Sequence, residues 1–147
     1  MMKVLIQRVK KASVWVNQKE VSTINHGYLL LVGVCKEDSL EIIEKMAYKI
    51  VNIRLFSDSN DKMNLNIKQV SGSILSVSQF TLCANHKKGH RPSFDQAMNP
   101  TDAKNMFDIF NKKLLEYEIE VKTGVFQEHM NVIIDNDGPV TVDLTLE

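Results

Sequence analysis

Residue types suited to chemistry on an acyl ester occur together in residues 78–94, SQFTLCANHKKGHRPSF. Ser78, Gln79 and Thr81 alternate with apolar residues, which predicts a strand over residues 73–82 with hydroxyl and amide groups on one face. A basic segment with Gly and Pro follows and offers cationic donors beside that face. Together these groups suit a phosphate-bearing substrate whose acyl or ester group is attacked.

The basic segment contains Lys87, Lys88, His90 and Arg91. Such a cluster is typical of phosphate binding, and equally typical of a solvated loop. The residues alone leave both interpretations open. A noncatalytic RNA-binding module that uses residues 86–91 is therefore one alternative function, and a hydrolase of another acyl ester, such as a thioester, is a second.

A second informative stretch is NDGPVT at residues 136–141. A proline within a strand-like sequence removes a ladder donor, so Pro139 belongs at an edge, a bulge or a tight turn. Gly138 has no Cβ, which lets another group approach the backbone closely. From the residues alone we expect a hairpin turn with an ordinary trans bond, because cis bonds are uncommon even before proline.

The size and composition indicate one domain, residues 1–147. The 18 basic and 18 acidic side chains cancel, so no global field would hold nucleic acid nonspecifically. No apolar run is long enough to cross a bilayer, and the N-terminus resembles a first strand rather than a signal peptide. We therefore expect a cytoplasmic protein. Cys35 and Cys83 lie far apart without a CxxC partner, which favours free buried thiols over a disulfide or a zinc site.

Strands and helices are grouped along the chain rather than strictly alternating. Residues 2–9 and 12–16 predict two strands of a meander or pair of hairpins, and residues 28–34, YLLLVGV, predict a central strand covered on both faces. Asp38 with Glu41 predicts a capping box that opens a helix over residues 39–52.

A second helix is predicted from Pro100, with an apolar stripe that includes Phe107, Phe110 and Leu114. Three further strands are predicted after it. The fold class is therefore α/β (α+β): a compact sheet or barrel of short strands with two main helices packed on one side.

Three motifs resemble those of the D-aminoacyl-tRNA deacylases: SQFTL at 78–82, KGHRPSF at 88–94 and NDGPVT at 136–141. The opening MKVLIQRVKKASVWV and the pattern formed by Thr123-Gly124, Phe126 and Met130 are also similar to that family. The resemblance runs essentially end to end. An animal-type relative carries a different first motif, so SQFTL favours the ordinary deacylase.

The resemblance implies hydrolysis of D-aminoacyl-tRNA, and of mischarged glycyl-tRNA, without metal or cofactor and with no role for DNA or membranes. It implies a homodimer in which the Gly138-Pro139 pair, in the cis form, enters the partner's active site. The carbonyl oxygens of that pair would hold the substrate amino group and exclude an L side chain. Arg8 would help fix the motif, and Met130 would contact the substrate.

We assign catalysis to Ser78, Gln79, Phe80 and Thr81. A Thr81 nucleophile would need a base, and no His or carboxylate lies within SQFTL. We therefore expect backbone N–H groups around Phe80 and Thr81 to stabilise the oxyanion, Gln79 and Ser78 to position the substrate, and the terminal 2′-hydroxyl of the RNA, or a water that it orders, to assist attack.

Lys87, Lys88 and Arg91 would contact tRNA phosphates. The four histidines, residues 26, 86, 90 and 129, are expected to be solvated or to contact phosphate rather than to join a triad. Phe80 and Phe94 could stack on bases, although an aromatic residue in such a strand is more often core; Trp15 is assigned to the core. One departure from the family pattern is Gln127-Glu128, where Gly-Ala usually follows the Phe. This bulkier pair could alter the fit of the terminal adenosine or of the amino acid.

Overall fold

The computed structural model describes all residues, Met1–Glu147. It contains eight strands and two α-helices. The strands are β1 (Met2–Val16), β2 (Lys19–Ile24), β3 (Gly27–Gly33), β4 (Phe56–Ser57), β5 (Met63–Leu65), β6 (Ser73–Ser78), β7 (Val121–Thr123) and β8 (Asn131–Leu146), and the helices are α1 (Leu40–Asn52) and α2 (Pro100–Leu115). A short 3-10 helix, Phe80–Cys83, follows β6.

The main sheet has the order β2-β1-β3-β6-β7, with β8 pairing along β1. The β3/β6 and β6/β7 pairs are parallel, and the pairs that include β1 are antiparallel. This mixed sheet is nearly closed into a barrel with two helices, and the predicted fold class is confirmed. Neither helix has the length and apolar character that crossing a bilayer requires.

The sheet is long at its centre because β1 is a single strand of 15 residues. The two strands predicted over residues 2–9 and 12–16 are therefore one. Exposed Lys10 and Lys11 lie within it, next to an irregularity in its pairing with β8. A pair of polar residues does not end a strand here, because solvent-facing residues of a strand are often polar.

Strand β3 is covered on both faces, as its apolar sequence predicts. Tyr28, Leu30 and Val32 face the main core, which contains the buried faces of both helices. Leu29, one step along the strand, belongs to a second, smaller cluster on the opposite face. The period-two alternation of a strand places these neighbours on different sides.

Both helices begin at capped residues. Ser39 accepts a hydrogen bond from the Ile42 amide at 3.3 Å at the start of α1, and Asn99 accepts one from the Asp102 amide at 3.0 Å at the start of α2. The capping box predicted at Asp38 is wrong. The Asp38 carboxylate instead accepts hydrogen bonds from the N-terminal ammonium and from the Cys35 amide, each at 2.7 Å.

Cys35 and Cys83 form a disulfide, with a Cα–Cα distance of 5.7 Å. The prediction of two free thiols is therefore wrong. Cys35 follows β3, and Cys83 follows β6. These two strands are parallel neighbours, so the segments that contain the cysteines leave the sheet at the same end. A sequence separation of 48 residues concealed this proximity.

Candidate active site

A cavity of about 640 Å³ opens beside the end of β6. One wall consists of Val77, Ser78, Gln79 and Phe80. The other walls come from the segment between Phe94 and Ala103 and from residues 126–132. Pockets of this volume, mostly apolar with a few convergent polar groups, are typical of small-ligand sites.

The wall at the end of β6 is a 3-10 turn and not the strand predicted through residue 82. The last ladder bond runs from the Gln79 amide to the Val32 carbonyl at 2.7 Å. Partner strand β3 ends at the next residue, so the ladder has no further partner and the chain turns. The first backbone N–H groups of a helical turn have no hydrogen-bond acceptor within the helix. In this turn these are the N–H groups of Phe80 and Thr81.

Thr81 is exposed and does not line the cavity. Its hydroxyl oxygen accepts a hydrogen bond from the Gln79 side-chain amide. None of the histidines or carboxylates is hydrogen-bonded to that hydroxyl. Gln79 and Thr81 are therefore held together, whereas a Thr81 nucleophile has no base in contact with it.

The two aromatic rings at the cavity are exposed, and the expectation that they are core residues is wrong. Phe80 is 55% exposed and Phe94 is 40% exposed. Their ring centroids lie 5.2 Å apart in an edge-to-face arrangement. Trp15 is only half-buried, and its indole N–H donates to the Ser13 hydroxyl at 2.9 Å.

The opposite wall includes Gln127, Glu128, His129 and Met130. Gln127 has a φ of 66°, and the Glu128 amide donates to the Val125 carbonyl at 3.3 Å, so the chain turns sharply here. Met130 packs against the smaller core cluster. The structure thus brings Ser78, Gln79, Phe80 and Met130 to one cavity. The cavity wall also contains Met98, Asn99 and Ala103, which the sequence motifs did not single out.

Gly138 and Pro139 are exposed and do not line this cavity. Their peptide bond is cis, as the resemblance implies. The predicted hairpin turn is wrong, since β8 continues on both sides. Between the partners Gln7/Thr141 and Val9/Asn136, β1 has one residue and β8 has four, residues 137–140. The Gly-Pro pair therefore lies in a bulge of the long strand.

Several side chains hold this bulge in place. The Arg8 Nε donates to the Asp137 carbonyl at 3.3 Å and forms an ion pair with its carboxylate at 3.3 Å. Arg8 also donates to the Leu55 carbonyl at 2.7 Å. The Asn136 amide donates to the Arg8 carbonyl at 2.9 Å and to the Val140 carbonyl at 3.1 Å. Arg8 thus contacts the motif through Asp137, the residue before Gly138.

The basic residues Lys87, Lys88, His90 and Arg91 lie on an exposed loop beyond the 3-10 turn. Asn85 and Ser93 close the base of this loop through two backbone hydrogen bonds of 2.7 and 2.8 Å. None of the four basic side chains forms an ion pair or lines the cavity. Their charges are therefore available to a ligand that extends beyond the cavity.

Shifted pKa values occur outside the cavity. Burial raises the pKa of the Tyr28 hydroxyl, and the charge of Arg8 opposes that rise. Backbone N–H groups of Lys62 and Asn60 lower the pKa of the Asp58 carboxyl. The structure contains no group of three or more His, Cys, Asp or Glu side chains that could hold a metal ion.

The family model and the relatives of similar sequence agree on one protein family. The family model described as D-Tyr-tRNA(Tyr) deacylase matches residues 5–145. A D-aminoacyl-tRNA deacylase of Staphylococcus epidermidis is 53% identical over 141 residues, which covers 96% of this chain and 93% of the relative. One from Lactobacillus gasseri is 48% identical over 145 residues and covers 99% of this chain and 100% of the relative.

Two solved structures have the same fold. The c-Myc DNA Unwinding Element Binding Protein has a TM-score of 0.93 and 37% sequence identity, with 99% of each chain covered. A structure described as a probable eukaryotic D-amino acid tRNA deacylase has a TM-score of 0.80 with 97% and 98% coverage. Its sequence identity of 16% makes it evidence for the fold alone.

Proposed function

The chain belongs to the D-Tyr-tRNA(Tyr) deacylase family and is a hydrolase acting on the ester bond of D-aminoacyl-tRNA; from this premise we propose that the cavity beside β6 is its active site. The observation that carries the proposal is the meeting of Ser78, Gln79, Phe80 and Met130 at one cavity. We extend the proposal to glycyl-tRNA, because glycine has no side chain that an L-excluding wall could reject. The whole chain would act as one domain in the cytoplasm.

The chemistry follows from the reactivity of the substrate. An aminoacyl ester needs an oriented nucleophile and a stabilised oxyanion more than it needs strong activation. The backbone N–H groups of Phe80 and Thr81 would donate to the developing oxyanion, while Ser78 and Gln79 position the ester. The 2′-hydroxyl of the terminal adenosine, or a water bound to it, would assist attack.

Rejection of L-amino acids would come from a second copy of the chain. Gly138 and Pro139 are exposed on a bulge that Arg8 and Asn136 fix in place. They lie outside the cavity of their own chain, so a homodimer is the arrangement that brings them to the partner's cavity. A rigid backbone wall facing Cα would tolerate hydrogen but exclude an L side chain.

The acceptor end of tRNA would lie across the basic loop. Lys87, Lys88 and Arg91 have no acidic partners and are close in sequence to the catalytic turn. Phosphate contacts there would position the terminal adenosine at the cavity. Such contacts contribute affinity but no sequence selectivity.

The deciding experiment compares D-tyrosyl-tRNA with L-tyrosyl-tRNA and follows release of the amino acid. We expect rapid hydrolysis of the D ester and little hydrolysis of the L ester. Glycyl-tRNA is the third substrate and should also be hydrolysed. Equal rates on D and L esters would contradict the proposed discrimination, and hydrolysis of a small ester without adenosine would favour a general esterase.

A further inference from the structure

The cavity contains one carboxylate whose charge is not balanced by a basic residue. Glu128 lines the cavity, and no Lys or Arg does so. Glu128 also takes part in none of the ion pairs of the protein. Apart from His129, the remaining wall residues are not titratable. Glu128 is exposed at the cavity wall, so its side chain adds a negative charge beside any occupant of the cavity.

The position of Glu128 along the cavity wall is set by the local backbone. Phe126 packs against Phe107, with ring centroids 6.2 Å apart. The turn that follows, with Gln127 at a φ of 66° and the Glu128 amide bonded to the Val125 carbonyl, fixes the path of the chain.

We propose that Glu128 is a specificity-determining residue that disfavours D-aminoacyl groups with anionic side chains, D-aspartyl and D-glutamyl, and favours cationic ones such as D-lysyl. This inference rests on the cavity being the active site. The α-amino group is common to all substrates, so its interaction with Glu128 cancels when side chains are compared. Two unit charges about 4 Å apart in a solvated site change affinity by about fivefold, and the effect should diminish as salt increases.

The test uses D-glutamate and D-glutamine loaded onto one tRNA body, because the two side chains have the same shape and differ in charge. We expect kcat/KM for the D-glutaminyl ester to exceed that for the D-glutamyl ester by about fivefold at low salt. Glu128→Gln should bring the ratio close to one, because only the charge of this side chain is removed. Glu20→Gln, which removes an exposed carboxylate from β2, is the matched control and should keep the wild-type ratio.

The outcomes separate this inference from the proposed function. Hydrolysis of D-glutaminyl-tRNA with an unchanged ratio in Glu128→Gln would overturn the role of Glu128 alone. A ratio that does not decline toward one as salt is raised would also overturn it, since a purely steric effect is insensitive to salt. Absence of hydrolysis of any D-aminoacyl-tRNA would overturn both.

Discussion

Thr81 shows how the geometry of single residues limits the choice of mechanism. Its hydroxyl oxygen already accepts a hydrogen bond from Gln79, and no basic side chain contacts it. A hydroxyl without a base is a poor nucleophile. The local structure thus favours a role for Thr81 in holding the Gln79 side chain, with the oxyanion bound by backbone groups.

Thr81→Ala should therefore retain substantial activity on D-tyrosyl-tRNA. Loss of one neutral hydrogen bond costs about 1 kcal/mol, or about a fivefold lower rate. Single-turnover deacylation measures this effect, and Thr81→Ser serves as the control because it keeps the hydroxyl. Complete inactivity of a folded Thr81→Ala protein, together with activity of Thr81→Ser, would instead indicate covalent catalysis.

Gly138 is the residue at which substitution should affect selectivity most. Its φ is +123°, and an added Cβ would lie 2.8 Å from a Val140 methyl carbon and 3.1 Å from the Arg8 Nη2. Gly138→Ala should therefore displace the bulge and lower the ratio of D to L hydrolysis. The ratio is measured with the two tyrosyl-tRNAs, alongside the melting temperature.

Gly89→Ala is the matched control for this change, because Gly89 also has a positive φ, of +63°, but a Cβ added there would meet no atom within 4 Å. We expect Gly89→Ala to change both rates in parallel. An unaltered D-over-L ratio in Gly138→Ala would contradict the assigned role of the motif.

At the scale of elements, the basic loop should act as an electrostatic contact for tRNA. Replacing Lys87 and Lys88 with Ala should reduce the slope of log affinity against log salt by about 1.5, since each phosphate contact contributes about 0.7 to 0.9. Binding is measured across a salt series with D-aminoacyl-tRNA analogues. The control variant Lys49→Ala/Lys112→Ala changes two exposed lysines on the helices and should keep the wild-type slope. Equal slopes in all three proteins would contradict a role of the basic loop in tRNA binding.

Element boundaries explain which predictions failed. Helices α1 and α2 were predictable because the spacing of their apolar residues is a local signal. The end of β6 was not, since SQFTL alternates as a strand would and only the end of β3 makes the ladder stop. The bulge in β8 was also hidden, because the four residues that lie opposite one residue of β1 are defined by that pairing rather than by their own sequence.

For the molecule as a whole, the Cys35–Cys83 bond joins the ends of two neighbouring strands. It closes a loop with a sequence separation of 48 residues, which by chain entropy stabilises the folded state by about 4 kcal/mol. No sequence signal indicated it, because the contact depends on the parallel β3/β6 pairing. The 3-10 turn Phe80–Cys83 lies at the same end of the sheet and includes one of the two cysteines, so the disulfide and the proposed site share one region.

Cys35→Ser should accordingly lower the free energy of unfolding by roughly 2–4 kcal/mol. Guanidinium titrations with and without a dithiol reductant provide the measurement. Reduced wild type, Cys35→Ser and Cys83→Ser should all unfold at similar concentrations, below that of the oxidised wild type. If the wild type unfolds at the same guanidinium concentration with and without the reductant, the disulfide does not stabilise the fold in solution.

The exposed bulge of β8 has one more consequence. If each cavity is completed by the neighbouring chain, turnover per chain falls on dilution once the dimer dissociates. Two inactive variants, one defective in the cavity and the other at Gly138, would rescue each other when their chains are exchanged. A dimer with one chain of each variant has one intact active site out of two. Random exchange of equal amounts makes about half of the dimers mixed, so about a quarter of all active sites would be restored.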